Sequence, residues 1–378
     1  MEWRVPLADL DYGEDERQAV LKVLESRWLT MGSVAQEFEQ RFSGLVGRKH
    51  AVAVTNATVA LHLACLSLGI GAGDEVIVPS LTFVATANAV LYTGAEVHFA
   101  DIQGPEELNV SPKEIEKQIT PKTKAIIVVH YGGFPCRMPE IQAIAAKHKL
   151  AIIEDSAHAP GASLNGQALG AWGDVGCFSF FSNKNLSTGE GGMLVTNNDE
   201  IAAKARILRS HGMTSLTWDR HQGHAYSYDV VDLGYNYRID EIRSALGLVQ
   251  LGKLSANNER RKAITEKYWK LLEGSGLELS FSAYVQDSGV KPAFHLLPVL
   301  LPQGADRQKF IDKLRSAGVQ TSIHYPPIHW FSYYRRRYPD VKLPKTENVA
   351  AREVTLPLYP TMDAKMIDLV VEAINHAL

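Results

Sequence analysis

Short apolar runs alternate with amphipathic segments along the first half of the chain. Runs of mainly apolar residues predict β-strands at 51–54, 75–79, 96–100, 125–129 and 151–154. Apolar residues that recur at helical spacing predict helices at 14–27, 59–68, 83–91 and 138–148. Because short apolar strands alternate with helices, we expect an α/β fold with a largely parallel sheet covered on both faces.

The pattern changes after the middle of the chain. A long helix is predicted at 241–272, followed by a β-like run at 293–301 and a terminal helix from Asp363. We therefore predict a large domain at 1–250 and a smaller domain at 251–378. In parallel sheets the loops at the carboxyl ends of the strands form the ligand crevice, so residues that follow a strand are the first candidates for a site.

Composition narrows the class of protein. The chain has 378 residues, of which 46% are hydrophobic and 21% are charged, and its formal net charge is -3. This balance is ordinary for a globular protein and gives no electrostatic case for nucleic acid or anionic lipid. The three cysteines lack C-x-x-C spacing, which argues against a disulfide framework and a thiolate zinc site. No signal peptide or membrane span is predicted, so we expect a cytoplasmic protein.

The segment Thr55-Asn56-Ala57-Thr58 lies between a predicted strand and a predicted helix. Free backbone N–H groups and the dipole at a helix N-terminus favour a phosphate, and the Thr58 hydroxyl adds a donor. Thr and Asn are also ordinary helix caps. On its own, the segment is compatible with a phosphate site or with a plain cap.

Asp155 and His158 follow the apolar strand predicted at 151–154. An aspartate at a strand end suits a partner for a cationic ring nitrogen, because an ionic hydrogen bond keeps that nitrogen protonated. The alternative is an aspartate that caps the next turn. This segment alone leaves both interpretations open.

Lys184 follows an aromatic strand closely and precedes a glycine-rich turn within the segment 177–192. Lysine side chains are normally exposed, so a lysine held between apolar strands needs a reason. A lysine that forms a Schiff base requires a depressed pKa and a site shielded from water, and this location can supply both. The alternative is a lysine whose ammonium reaches solvent from a turn.

Two loops are candidates by composition alone. In the loop 234–238, Arg238 has the side-chain type that matches carboxylates bidentately, and the Asn236 amide can donate to a phosphate. The segment 218–228 is rich in His and aromatic residues but has no acidic or Cys ligand at matching spacing. We therefore expect a loop over the cleft there and no metal site.

Together these segments resemble the DegT/DnrJ/StrS-type family of nucleotide-sugar aminotransferases, which are fold-type-I pyridoxal-phosphate enzymes. The resemblance covers nearly the whole chain, and its most specific parts occur in the family's order at 55–58, 73–80, 154–158, 178–192 and 234–238. It implies a large domain with a mostly parallel seven-stranded sheet flanked by helices, and a smaller α+β C-terminal domain.

The resemblance also implies roles in binding the cofactor, pyridoxal 5'-phosphate. Lys184 looks like the lysine that holds the cofactor as a Schiff base and later moves the proton between cofactor and substrate carbon. Asp155 looks like the partner of the pyridine nitrogen, and Phe83 like the aromatic residue stacked on the ring. The residues that match phosphate contacts are Ala57, Thr58, Ser179 and, reaching across from a second subunit, Asn236. A homodimer with shared active sites is therefore implied.

Three further residues complete the implied site. His158 stands where the family usually has Gln, beside the ring and its phenolic oxygen. Arg238 matches a group that holds the carboxylate of the amino donor, and His329 matches a substrate-side histidine. The implied reaction moves an amino group from L-glutamate to a keto sugar on a nucleotide diphosphate, with a 4-keto-6-deoxy hexose as the working substrate. The loop 218–228 would then contact the sugar.

Three other function classes compete with this prediction. A related sugar dehydratase branch has His in place of the lysine, whereas Lys184 is present here. A branch that aminates cyclitol ketones, such as scyllo-inosose, or aromatic precursors usually has a Gln-containing sequence before the lysine, where this chain has Phe-Phe-Ser-Asn at 180–183. A sensory protein without turnover would need no Schiff-base lysine. Amino transfer to a sugar is therefore the predicted function.

Overall fold

A seven-stranded sheet lies at the centre of the computed structural model, which describes residues 3–214 and 228–378. In chain order its strands are β1 (His50–Val54), β2 (Glu75–Pro79), β3 (Glu96–Ala100), β4 (Thr123–Val129), β5 (Ala151–Asp155), β6 (Val175–Ser179) and β7 (Gly192–Thr196). Across the sheet the order is β1-β7-β6-β5-β4-β2-β3. Only β7 runs antiparallel to its neighbours within this sheet, so the predicted mostly parallel seven-stranded sheet is confirmed. Most of the loop predicted at 218–228 lies outside the described residues.

The helices of the described residues surround this sheet and form much of the C-terminal part. In chain order they are α1 (Glu14–Ser26), α2 (Ser33–Val46), α3 (Ala57–Ser67), α4 (Ala85–Leu91), α5 (Pro112–Lys117), α6 (Met138–His148), α7 (Asp199–Arg209), α8 (Glu241–Leu272), α9 (Arg307–Ser316), α10 (Ser332–Arg337), α11 (Pro344–Arg352) and α12 (Ala364–Ala377). Within the two described ranges, no helix is long and apolar enough to cross a bilayer.

Both faces of the sheet are buried, as the continuous apolar strands predict. Side chains alternate between the two faces of a strand. In β2, Val76 and Val78 pack in one cluster with α3, α4 and α7, whereas Ile77 packs on the opposite face with α5 and α6. Helix α2 covers the end of the sheet at β1, where Phe38 and Phe42 are fully buried.

Asn56 fixes the start of the helix that borders the site. Its side-chain Oδ1 accepts a hydrogen bond from the backbone N–H of Val59 at 3.0 Å, so α3 begins at Ala57. This is two residues earlier than the predicted helix at 59–68. The correction matters because it places Ala57 and Thr58 in the first helical turn, where N–H groups have no acceptor within the helix.

The C-terminal part packs against the sheet through a large shared core. Strands β8 (Leu297–Leu300) and β9 (Glu353–Leu356) pair antiparallel. Their apolar side chains share one cluster with α8, α9 and α12 and with Tyr131 and Phe134 of the sheet domain. Helix α8 is continuous over 32 residues, so position 250 lies within a helix. The division into 1–250 and 251–378 stays a prediction.

Candidate active site

A cavity of about 440 Å³ lies at the carboxyl ends of β5 and β6. Six residues that the sequence analysis singled out line its wall: Ala57, Thr58, Phe83, Asp155, Ser179 and Lys184. The other lining residues include Asn183 and Glu190 from the lysine loop and His324 and Tyr325 from the C-terminal part. Residues far apart in the chain therefore meet where an α/β sheet usually binds its ligand.

Lys184 has an amine with unusual acidity for a lysine. Its side chain is partly buried, and this burial lowers the pKa of Lys184 from 10.5 to about 8, although the carboxylate of Asp155 acts in the opposite direction. The backbone N–H of Lys184 donates to the carbonyl of Phe181 at 2.9 Å, which closes a turn after β6. A lysine amine with a pKa of about 8 is partly neutral near pH 7 and can act as a nucleophile.

Asp155 is the last residue of β5 and is 5% exposed. The hydroxyl of Thr86, on α4, donates to its Oδ2 at 2.7 Å, and the backbone N–H of Ala157 donates to its Oδ1 at 3.2 Å. Burial raises the pKa of Asp155, while these two hydrogen bonds and the nearby Lys184 lower it. The net direction is upward, as expected for a carboxyl group in a site with little water.

Glu154 holds the strand that carries Asp155. Its fully buried carboxylate accepts hydrogen bonds from His130 Nε2 at 3.0 Å and from three backbone N–H groups of the segment 170–173 at 2.7 Å. The N–H of Cys136 donates to His130 Nδ1, so the His130 proton is on Nε2 and points to the carboxylate. These four bonds fix the end of β5 and therefore the position of Asp155.

The first turn of α3 and the end of β6 form the other end of the cavity. Ala57 and Thr58 lie in that turn, and Ser179 is the last residue of β6. Strand β7 approaches the turn so closely that a Cβ on Gly192 would be 2.4 Å from the carbonyl carbon of Asn56. Only glycine permits this approach, which completes a small, positively polarised cradle at a helix N-terminus.

His158 lies behind Tyr325 instead of at the cavity wall. The backbone N–H of Gly132 donates to His158 Nδ1 at 3.2 Å, so the imidazole proton is on Nε2. Nε2 lies 3.1 Å from the hydroxyl oxygen of Tyr325 and donates to it. Tyr325 lines the cavity, and its ring centroid is 6.1 Å from that of Phe83. His158 thus orients a phenol whose own proton can be donated into the cavity.

His324 is a second cavity residue that the sequence analysis did not single out. Its Nδ1 lies 2.8 Å from Thr355 Oγ1, and the Thr355 hydroxyl donates to the buried carboxyl group of Glu353. Nδ1 therefore carries the proton and Nε2 is left as an acceptor. Burial lowers the pKa of His324 to about 4, so the ring is neutral at physiological pH. His324 and Tyr325 lie within five residues of the predicted His329, and this proximity is the signal that could have found them.

Besides His158, three predicted residues do not line the cavity. Asn236 is exposed, and Arg238 forms a backbone bridge with β1. His329 is buried, with Nδ1 at 2.7 Å from Ser80 Oγ and Nε2 at 3.2 Å from Glu347 Oε1. Both ring nitrogens of His329 therefore have protein partners. Within one chain, the structure brings together the lysine, the aspartate and the helix N-terminus, but not these three side chains.

The arrangement fits pyridoxal phosphate. A helix N-terminus is suited to its phosphate, a buried carboxylate to its ring nitrogen, and an amine with a lowered pKa to its aldehyde carbon. Phe83 borders the cavity with 57% of its surface exposed, which leaves a ring face available for stacking. Asn183 Oδ1 is buried beside the cavity and has no hydrogen-bond partner among the described residues. A polar ligand would satisfy that atom.

The chain is similar to known proteins over nearly its whole length. The model of the DegT/DnrJ/EryC1/StrS aminotransferase family matches residues 10–375. The spore coat polysaccharide biosynthesis protein SpsC of Bacillus subtilis is 40% identical over 371 residues, which are 96% of this chain and 94% of SpsC.

Two solved structures resemble the whole chain. The sugar aminotransferase CalS13 from Micromonospora echinospora superposes with a TM-score of 0.88 at 30% identity, over 98% of this chain and 99% of that one. The PLP-form of Spr1654 from Streptococcus pneumoniae superposes with a TM-score of 0.90 at 28% identity, over 100% and 98%. The chain therefore belongs to the DegT/DnrJ/EryC1/StrS aminotransferase family and is a pyridoxal-phosphate-dependent sugar aminotransferase.

Proposed function

We propose that this enzyme moves an amino group from L-glutamate to a keto sugar carried on a nucleotide diphosphate, in deoxyamino-sugar biosynthesis. A 4-keto-6-deoxy hexose is the proposed acceptor. The observation that carries the proposal is that the Lys184 amine and the Asp155 carboxylate share one cavity with the N-terminus of α3. The similarity to SpsC, which is named for polysaccharide biosynthesis, supports a sugar made for a glycan.

Five cavity residues would hold the cofactor in this proposal, in addition to Lys184. The phosphate would lie against Ala57, Thr58 and Ser179, with Phe83 stacked on the ring. Asp155 would hold the ring nitrogen in its protonated form, since an ionised carboxylate stabilises a cation beside it. When bound, the cofactor supplies carbanion stabilisation at the substrate carbon.

Lys184 would carry out two tasks in the proposed cycle. Its neutral amine attaches the cofactor, which the lowered pKa of about 8 favours. Once the amino donor has displaced it, the same amine would take a proton from the substrate carbon and pass it to the cofactor carbon that had held Lys184. The donor and the keto sugar use the cavity in turn, because one lysine and one cradle serve both.

A homodimer with shared sites would explain the predicted residues that do not line the cavity. The segment 228–233 is notably apolar for a surface, and Leu233 is 80% exposed while Val230 is 58% exposed. An exposed apolar segment of this kind usually marks a protein contact. We propose that Asn236, close to this segment, contacts the cofactor phosphate in the partner's site. Arg238 would hold the donor carboxylate, and His329 would act on the substrate side after exchanging one of its two hydrogen bonds.

The experiment that tests the proposal is a substrate screen. The purified enzyme is incubated with glutamate and a set of dTDP-, UDP- and GDP-linked keto hexoses, and formation of 2-oxoglutarate is measured. Lys184→Ala is the control, since it keeps the ring and phosphate contacts but lacks the reacting amine. Amination of a cyclitol ketone with no turnover of any nucleotide sugar would refute the proposed substrate class.

A separate experiment tests the cofactor lysine. Borohydride reduction of the yellow enzyme fixes the cofactor to the amine that holds it, and peptide mapping identifies that residue. We expect the added mass on the peptide that contains Lys184. The same mass on another lysine would show that the site is misassigned, independently of the substrate screen.

A further inference from the structure

A histidine that no sequence motif indicated contacts the amine of Lys184. His295 lies just before β8, and its Nε2 is 3.5 Å from Lys184 Nζ. The side chain of His295 is only 5% exposed. The distance is long for a hydrogen bond, which is common for catalytic contacts before substrate binds. The two nitrogens are therefore neighbours inside the site.

Asn185 determines which ring nitrogen of His295 carries the proton. Nδ1 lies 3.0 Å from Asn185 Oδ1. The amide nitrogen of Asn185 donates to the backbone carbonyl of Ala293 at 2.7 Å, and because a carbonyl can only accept, the orientation of the amide is determined. Asn185 Oδ1 must then accept from His295, so Nδ1 carries the proton and Nε2 presents a lone pair to Lys184.

Asn258 of helix α8 fixes the orientation of the Asn185 amide in turn. Asn258 Oδ1 accepts from the Asn185 amide at 2.8 Å, and Asn258 Nδ2 donates to the carbonyl of Pro160 at 3.0 Å. Gly161, at a φ of +80°, leaves room for this amide, since a Cβ there would be 2.9 Å from Asn258 Nδ2. The side chains of His295, Asn185 and Asn258 thus form one buried hydrogen-bond network, and each donor and acceptor named above has a partner in it, as burial of polar groups requires.

We propose that His295 is a positioning residue for Lys184, a neutral acceptor that holds the amine in one orientation whenever it is released from the cofactor. The role rests on the proposed function of Lys184 as the cofactor lysine. A lysine amine ends a flexible four-carbon stem and has three donors, so without an acceptor it has no preferred orientation. With one N–H bound to His295, the amine stays in the cavity near the reacting carbon.

Burial and the surrounding basic side chains keep His295 neutral. Burial lowers the pKa of His295 well below its usual value, and Lys184, His158, Arg261 and His324 act in the same direction. On the other side of Lys184, the facing titratable group is Asp155, which favours the ammonium form. A protonated His295 would repel that ammonium, whereas the neutral ring can accept from it.

The pKa of Lys184 in the cofactor-free protein tests this proposal without using activity. Competitive labelling with acetic anhydride over a range of pH, followed by mass spectrometry, measures this pKa, which should be about 8 in the unsubstituted enzyme. In His295→Asn an amide replaces Nδ1, so the bond to Asn185 can remain while the acceptor at the position of Nε2 is lost. In His295→Gln an amide oxygen can occupy the position of Nε2.

The two substitutions should separate positioning from packing. His295→Asn should lower the pKa of Lys184 by about one unit, because the ammonium loses a hydrogen bond that favours the charged form. His295→Gln should restore the value to within about 0.3 units. His324→Asn is the matched control, since His324 is a histidine of the same cavity whose Nδ1 bonds to Thr355, and it should not lower the pKa of Lys184.

Several outcomes would overturn the proposal. Equal shifts in the Asn and Gln variants would show an effect of repacking, and no shift or a rise in the Asn variant would show that no acceptor was lost. If substitutions at 295 prevent folding, neutron diffraction from the unsubstituted enzyme gives the same information. A deuteron on Nδ1 with none on Nε2 supports the proposal, and a deuteron on Nε2 overturns it. If borohydride fixes the cofactor to another lysine, the role in turnover fails even when the pKa shift is found.

Discussion

Replacing Thr86 by Val should lower the free energy of unfolding and weaken binding of the cofactor. Both effects would arise from the lost hydrogen bond to Asp155. The Thr86 hydroxyl donates to Asp155 Oδ2 at 2.7 Å, and both side chains are buried. Val has nearly the shape of Thr, so the substitution removes the hydroxyl while leaving little empty space. Asp155 keeps only the longer bond from the N–H of Ala157 at 3.2 Å. The remaining carboxylate is then less well solvated by protein groups, which raises the pKa of Asp155 further.

The magnitude follows from the protonation state of Asp155. A hydrogen bond to an ionised group contributes about 1.5–3 kcal/mol, whereas a bond between neutral groups contributes about 0.5–1.5 kcal/mol. Burial already raises the pKa of Asp155 above its ordinary value. A carboxyl group with a raised folded-state pKa loses stability as the pH rises from the unfolded-state pKa through the folded-state pKa. Thr86→Val raises the folded-state pKa of Asp155 further, so it should cost about 2 kcal/mol at pH 8 and less at pH 4, where a larger share of the carboxyl group is protonated.

Urea unfolding of the cofactor-free protein at the two pH values measures this difference. In a second assay, titration with pyridoxal phosphate near pH 7 should give a Kd up to roughly tenfold higher for Thr86→Val, because the carboxylate that would hold the ring nitrogen has lost a hydrogen bond. Thr82→Val is the matched control. The Thr82 hydroxyl lies 3.2 Å from Thr86 Oγ1 and donates to it, since the Thr86 proton goes to Asp155. Its loss should cost about 1 kcal/mol at both pH values. An equal cost of Thr86→Val at pH 4 and pH 8 would refute this account of Asp155.

Three other predictions concern the same site. The rate at which the cofactor-free enzyme attaches pyridoxal phosphate, followed by absorbance, should rise with pH and level off above about pH 8 as Lys184 loses its proton; a flat profile would contradict the lowered pKa. Glu154→Gln should reduce the free energy of unfolding by about 3–5 kcal/mol in urea, because an NH₂ group then faces N–H donors, while the exposed Glu140→Gln should change it by under about 0.5 kcal/mol. Tyr325→Phe should cost about 1–3 kcal/mol in the same assay, because it leaves the buried His158 Nε2–H without an acceptor. Unchanged stability would show that water replaces the phenol.

The strands were predictable because they are buried on both faces and therefore read as continuous apolar runs. Their order was not, because the position of β7 between β1 and β6 depends on contacts between distant parts of the chain. Helix α2 was missed although its buried residues Ala35, Phe38 and Phe42 recur at helical spacing. That signal was in the sequence. The early start of α3 was not visible from periodicity, because a side-chain cap at Asn56 decides it.

Some residues of the site could be predicted from the sequence and others could not. Lys184 and Asp155 stand next to strand ends, so local patterns and the family resemblance both indicated them. His295 lies 111 residues from Lys184 in the sequence and is part of an otherwise apolar run. A single histidine in such a run does not indicate which residue it will contact. Tyr325 reaches the cavity from the C-terminal part, and its tie to His158 crosses 167 residues. Periodicity reports which face of an element is buried, but it carries no information about which buried polar groups will meet.

Burial acts on the two central charges in opposite directions. It lowers the pKa of Lys184 and raises the pKa of Asp155, while the attraction between the two groups opposes both shifts. In the proposed function, Lys184 would give up its ammonium charge when it holds the cofactor, and Asp155 would gain a cationic partner in the ring nitrogen. Side chains such as Tyr325 that exclude water from the cavity therefore influence the pKa of Lys184 without contacting the reacting carbon. Any change that admits water to Lys184 should return its pKa towards 10.5 and reduce the neutral amine at pH 7, even when each named hydrogen bond is retained.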